Sequence, residues 1–160
     1  MRIAMTTEQM VALGSKGLAR CANALEMRRV GAHGFDRYSE RWQIDVEGVL
    51  TEGAAAMALG VPYEPVVGEL DSLWGDIASG IQVRGTRYPK GSLLIHDSDQ
   101  DDHAYILVTG IYGIYDIRGW IWAKEGKKKK YWKVYKDRGS YWVPQSALRP
   151  MNTLVLPEAA

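Results

Sequence analysis

The stretch from Gly75 to Thr86, "GDIASGIQVRGT" (residues 75–86), divides the chain. Ile81 and Val83 alternate with Gln82 and Arg84, the period of two expected of a half-buried strand. Gln82 and Arg84 therefore share one face of that strand, and the aliphatic pair shares the other. The polar face looks either into solvent or into a site, and Asp76 lies at a turn just upstream. Before this stretch the pattern reads as helical, and after it as strands.

Upstream, Thr6 followed three residues later by Gln9 has the form of a capping box. From about Thr7 to Arg29 the spacing of Met10, Leu18, Cys21, Ala22 and Leu25 is roughly helical, interrupted by Gly14 and Gly17. That pattern predicts one broken helix or two short ones, ending near "VGAHG" (residues 30–34). The segment "IDVEGVLTEGAAAMALGVP" (residues 44–62) predicts a second helix, with Val46, Leu50, Ala54, Met57 and Ala58 on one face. Gly60 is placed as its C-terminal cap, Pro62 follows, and Glu52 sits mid-helix. After an irregular stretch, strands are predicted over 81–86, 92–96, 104–109, 114–123, 131–135 and 141–143. The fold class expected is α/β of the α+β type, with N-terminal helices packed on a mixed, mostly antiparallel sheet.

A chain of 160 residues suffices for one core. We expect a single domain, with an N-terminal helical segment over 1–40, a core and strand-rich extension over 41–150, and a tail over 151–160. The apolar fraction of 46% and charged fraction of 24% are those of an ordinary globular protein, and no apolar run approaches a membrane span. The N-terminal "MRIAMTTEQM" lacks the apolar segment of a secretory signal. Cys21 is the only cysteine, so no intramolecular disulfide forms, and a cytoplasmic location is expected.

Net charge is +1, yet its distribution is uneven. Between Arg118 and Arg138 nine Lys/Arg face two acids, while "HDSDQDD" (residues 96–102) holds four acids. A basic stretch interleaved with Trp120, Trp122, Tyr131, Trp132, Tyr135, Tyr141 and Trp142 has the chemistry to contact phosphates and stack bases. The candidates are Lys127, Lys128, Lys129, Lys130 and Trp132. The alternatives for the same residues are a solvated loop and aromatic strands buried in a core. The acidic run starts like a calcium loop at Asp97, Asp99 and Asp101, but its sixth position is Asp102 instead of glycine and its twelfth is Val108 instead of glutamate. A polar turn is the better reading. His33, His96 and His103 have no metal-ligand spacing, and neither a nucleophile elbow nor a phosphate-binding loop occurs.

Glu52 on a helix, Asp76 at a turn and Gln82 with Arg84 on a strand together resemble the site of the PD-(D/E)XK superfamily, the restriction-endonuclease-like fold. "VEGVLTEGAAAMALG" is similar to its first-helix motif and "GD…IQVR" to its strand pair. "GSLLIHDSDQDDHAYILVTG", "YDIRGWIWAKE" and "YWVPQSALRP" are similar to phage and prophage proteins of that type, over roughly residues 40 to 150. The resemblance implies a phage-type nucleic-acid-processing protein acting in an infected bacterium, with Mg²⁺ (or Mn²⁺ in its place) held by Asp76, Gln82, the Val83 carbonyl and Glu52, and Arg84 facing a phosphate. Gln82 stands where the superfamily has an acid, offering a hard cation less charge. Arg84 replaces a lysine and can clamp a phosphate but scarcely act as a base. Two further readings stay open: a nucleic-acid-binding module of the same fold without catalysis, and a small phage protein that binds a host protein.

Overall fold

The computed structural model describes residues 1–27, 38–68, 75–135 and 137–156. A short strand β1 (Arg2–Ala4) leads into α1 (Thr7–Glu26), followed by α2 (Tyr38–Leu59). Then come β2 (Ile81–Thr86), β3 (Leu93–Ile95), β4 (Ala104–Ile111), β5 (Ile114–Trp122), a one-turn helix α3 (Ala123–Gly126), β6 (Trp132–Tyr135) and β7 (Arg138–Val143).

The capping box forms as its spacing requires. The Gln9 N–H donates to Thr6 Oγ1 at 3.2 Å, and the Thr6 N–H donates to Gln9 Oε1 at 2.8 Å. α1 is then continuous through Gly14 and Gly17, where a break was expected. The reason is tertiary. A Cβ at Gly17 would come within 2.6 Å of Val46 Cα, so the glycine lets α2 lie directly against α1 instead of interrupting it. The expected end of this helix near residues 30–34 lies outside the described residues. α2 ends as read, with Gly60 in the left-handed conformation (φ +68°) and its N–H bonded to the Met57 carbonyl.

The strands form two sheets. The larger is mixed, in the order β1-β5-β4-β2, and the smaller is antiparallel, in the order β3-β7-β6. β2 and β4 run parallel, with Val83 opposite Ile106, while the other strand pairs of both sheets are antiparallel. The mixed, mostly antiparallel pairing was expected; its division between two sheets and the strand β1 were not. The helices cover one face of the large sheet, where Leu50, Ala54 and Ala55 of α2 meet Ile81, Val83, Ala104, Ile106 and Val108. Its other face packs on the small sheet through Tyr105, Leu107 and Ile121 against Leu93, Ile95 and Val143. β4 lies between both layers and its first six residues are buried.

The aromatic residues of the C-terminal half divide between the two possibilities open to them. Trp120 is core, donating its indole N–H to the Pro150 carbonyl and Thr153 Oγ1, which docks the C-terminal segment on β5. Trp132 and Tyr135 are exposed. No helix among the described residues is long and apolar enough to cross a membrane.

Candidate functional site

β2 is an edge of the large sheet, and the segment before it folds back along that edge. Gly75 adopts φ +93°, and a Cβ there would sit 2.8 Å from the Ile81 nitrogen, so the tight return requires glycine. This turn delivers Asp76 to the free backbone of β2. The Asp76 N–H donates to the Ile81 carbonyl at 2.8 Å, and its Oδ2 accepts the Val83 N–H at 2.7 Å. Asp76 thereby supplies the hydrogen bonds that a further strand would have made.

The strand alternation holds. Ile81 and Val83 pack beneath α2. Gln82 and Arg84 project from the opposite face and line a cleft of about 70 Å³ with Ser98, Asp99, Gln100 and Tyr105. Arg84 reaches Asp99 Oδ1 at 3.1 Å, lies 4.0 Å from Asp76 Oδ2, and stacks 4.9 Å above the centre of the Tyr105 ring. Gln82 is buried, its amide nitrogen 3.4 Å from His103 Nδ1. Asp99, within the acidic run expected to form a polar turn, does form that turn, accepting the His96 N–H at 2.9 Å as well as holding Arg84.

Glu52 stands on the helix side. Its two oxygens accept a forked pair of bonds from Arg20 at 2.9 Å each, and Oε2 also receives the Tyr63 hydroxyl. Both partners of the ion pair are nearly buried, at 12% and 11% side-chain exposure. Arg20 Nε is fixed in turn by the Val66 carbonyl at 2.7 Å. Burial pulls the Arg20 guanidinium down, but the hydrogen bond and charge of Glu52 outweigh it, so the net shift is upward and Arg20 stays charged. The Tyr63 hydroxyl is pushed up by burial and by the Glu52 carboxylate, which keeps it a donor. Asp76 is held at about 6, raised first by burial and then by the negative charge of Glu52, with the Val83 N–H and Arg84 pulling the other way.

The structure thus brings Asp76, the Val83 backbone and Arg84 together at the edge of β2, with Glu52 within electrostatic reach of Asp76. It sets Gln82 on the face away from the helix carrying Glu52. Arg20, Tyr63 and Asp99, which complete the cluster, carry no sequence spacing that announces them. As ligands for Mg²⁺ the residues as folded do not fit. Both Glu52 oxygens are occupied by the Arg20 fork, Asp76 Oδ2 is committed to a backbone N–H, and the Val83 carbonyl faces Arg84 Nη1 at 3.4 Å. Among the described residues no group of three or more His, Cys, Asp or Glu side chains is arranged to hold a metal.

The basic stretch has a different construction. Lys127, expected to contact nucleic acid, is turned inward: its ammonium donates to the Asp97 and Asp99 carbonyls at 2.9 and 2.5 Å and to Asp101 Oδ1 at 2.7 Å. Those three acceptors take its three N–H donors, and the Asp101 carboxylate offsets its charge, which leaves no donor for a phosphate. Lys128, Lys129, Lys130 and Lys133 are exposed, and among the described residues none of them forms an ion pair with a carboxylate. Lys130 lies over the Tyr131 ring at 4.8 Å and Lys133 over the Trp142 ring at 5.6 Å. Trp132 packs edge-on to Tyr141 across the β6–β7 pair, their ring centroids 4.8 Å apart. No family model, curated protein or solved structure matches the chain.

Proposed function

We propose that this chain is a nucleic-acid-binding protein on a restriction-endonuclease-like core, its acidic cluster serving as a structural node and its β6–β7 hairpin as the contact surface. The observation that carries this reading is the group Lys128, Lys129, Lys130 and Lys133, exposed and without carboxylate partners among the described residues, beside the exposed Trp132 and Tyr135. Exposed cations with no carboxylate partner among the described residues cost the fold little and are available to a polyanion, whose condensed counterions are released on contact. Nearby aromatic rings add stacking that tolerates any base.

The test is a titration of DNA and RNA oligomers at low and moderate salt. Each phosphate contact contributes roughly 0.7–0.9 to the slope of log K against log salt, so replacing the four lysines by glutamine should flatten that slope by up to about three units. An unchanged slope would assign the lysines to solvent. Sequence preference should not move, because phosphate contacts position without specifying.

A second reading, a Mg²⁺-dependent phosphodiesterase, is supported by one feature: the negative charge of Glu52 reaches Asp76, which is bonded to the Val83 backbone at the edge of β2. It requires that cleavage of a labelled nucleic acid depend on Mg²⁺ or Mn²⁺ and vanish in Asp76→Ala. On the leading reading no such cleavage is seen.

A further inference from the structure

We infer that the nucleic acid bound at the hairpin is an unpaired strand, and that the Trp132 indole is the platform on which one of its bases stacks; this rests on the nucleic-acid reading above. β6 is an edge strand whose four residues are all exposed, so it does not owe its aromatic residues to a core. Trp132 is nonetheless held in place. Its ring lies across the backbone of Gly139 on β7, so closely that a Cβ on Gly139 would overlap the six-membered ring. Tyr141, directly opposite in the register, closes on its edge at an interplanar angle of 63°. Tyr141 is anchored in turn by its hydroxyl, which donates to Asp97 Oδ1 at 2.9 Å. Trp132 remains 39% exposed, its ring seated against the backbone of Gly139 and the edge of Tyr141.

The occupant follows from charge and geometry. A second copy of the chain adding its own β6 to this edge would set Lys133 and the neighbouring lysines against their equivalents, and opposed like charges disfavour that pairing. A polyanion is complementary. In a duplex the base faces are already stacked on one another, and a ring on a rigid hairpin meets only backbone and groove edges. In a single strand the faces are accessible, and stacking on an aromatic side chain strengthens binding by about 1–3 kcal/mol per base. A preset ring loses little rotamer freedom on engaging a base.

Gly139 gives a test that alters no charge. Its backbone is not in the left-handed region, so alanine can adopt that conformation, and the added methyl must displace the outer edge of the exposed Trp132 ring rather than the core. The experiment measures fluorescence anisotropy of a labelled oligothymidine and of a duplex of equal length. Wild type is compared with Gly139→Ala, Trp132→Ala and the four-lysine glutamine variant. We expect wild type to prefer the single strand. Gly139→Ala and Trp132→Ala should each lose about tenfold on the single strand, with duplex affinity and salt slope unchanged. Equal losses on strand and duplex, or no loss in Trp132→Ala, would overturn the platform while leaving the lysine-dependent slope, and so the nucleic-acid reading, intact. No binding of either oligomer at low salt would overturn both.

Discussion

From Arg20 through Glu52, Asp76 and Arg84 to Asp99, each charged side chain of the cluster has an opposite charge within 4.0 Å. On the β6–β7 hairpin and the turn leading into it, Lys128, Lys129, Lys130 and Lys133 have none among the described residues. The difference tracks exposure. A carboxylate as enclosed as Glu52 cannot be left alone, because an uncompensated buried charge costs several kcal/mol. A lysine in water keeps its hydration and is under no such constraint. The comparison teaches where to look for a ligand: in the cluster the charges are spent on one another, whereas on the hairpin they remain available.

The largest effect that would break this contrast is expected at Arg20. Arg20→Ala strands the Glu52 carboxylate beside Asp76 with, among the described residues, only the Tyr63 hydroxyl to hold it, and should destabilise by about 3–5 kcal/mol, read as a lower urea midpoint. A loss below about 1 kcal/mol would mean that the pair is solvated in solution and the cluster is no node.

Next in size is a pH dependence seated at Asp76. Its carboxyl titrates near 6 in the folded chain against an ordinary value of 3.8, so the folded state holds this proton more tightly than the unfolded state does. Stability from this group is complete below about pH 4 and is lost as pH rises through about 6, a change on the order of 2–3 kcal/mol. Asp76→Asn keeps an acceptor for the Val83 N–H and removes the titration. Subtracting its stability profile from that of wild type between pH 4 and 7 should give a falling curve; a flat difference would place Asp76 in solvent.

The smallest effect sharpens the other side of the comparison. Replacing Lys128, Lys129, Lys130 and Lys133 together by glutamine should change the unfolding free energy by no more than about 0.5 kcal/mol, since these are exposed side chains without ion-pair partners among the described residues. A larger loss in chemical denaturation would show that the lysines support the hairpin and are not held for a ligand.

Local chemistry made much of this molecule legible in advance. The Thr6/Gln9 box, the Gly60 stop of α2 and the alternation in β2 depend on neighbours in sequence, and they read correctly. Gly17 misled because its purpose is the approach of Val46 from another helix, a distance of 29 residues that propensity does not register. β1 is three residues long and is a strand only because β5, more than a hundred residues later, pairs with it. The candidate site shows the same limit. Asp76 and Arg84 were marked by their relation to one strand, but Arg20 and Tyr63 join Glu52 only once α1 packs on α2 and the chain beyond α2 returns. Lys127 shows that a run of identical residues need not share a role: one position decided whether the ammonium met three oxygens or water.

The loop 96–102 fastens more than its length suggests. Asp97 takes the Tyr141 hydroxyl of β7, Asp99 takes Arg84 of β2, and Asp101 takes Lys127 beyond α3, so one short segment ties both sheets and the chain between them. Fraying of the small sheet as a unit must break contacts of this loop as well as its own ladder, which makes the base of the β6–β7 hairpin part of the same cooperative opening as the edge of β2. The hairpin can therefore behave as a lever with a stiff root: its outer strand is free to meet a partner, while Tyr141, at its root, shares a fastening with Arg84 on the far sheet.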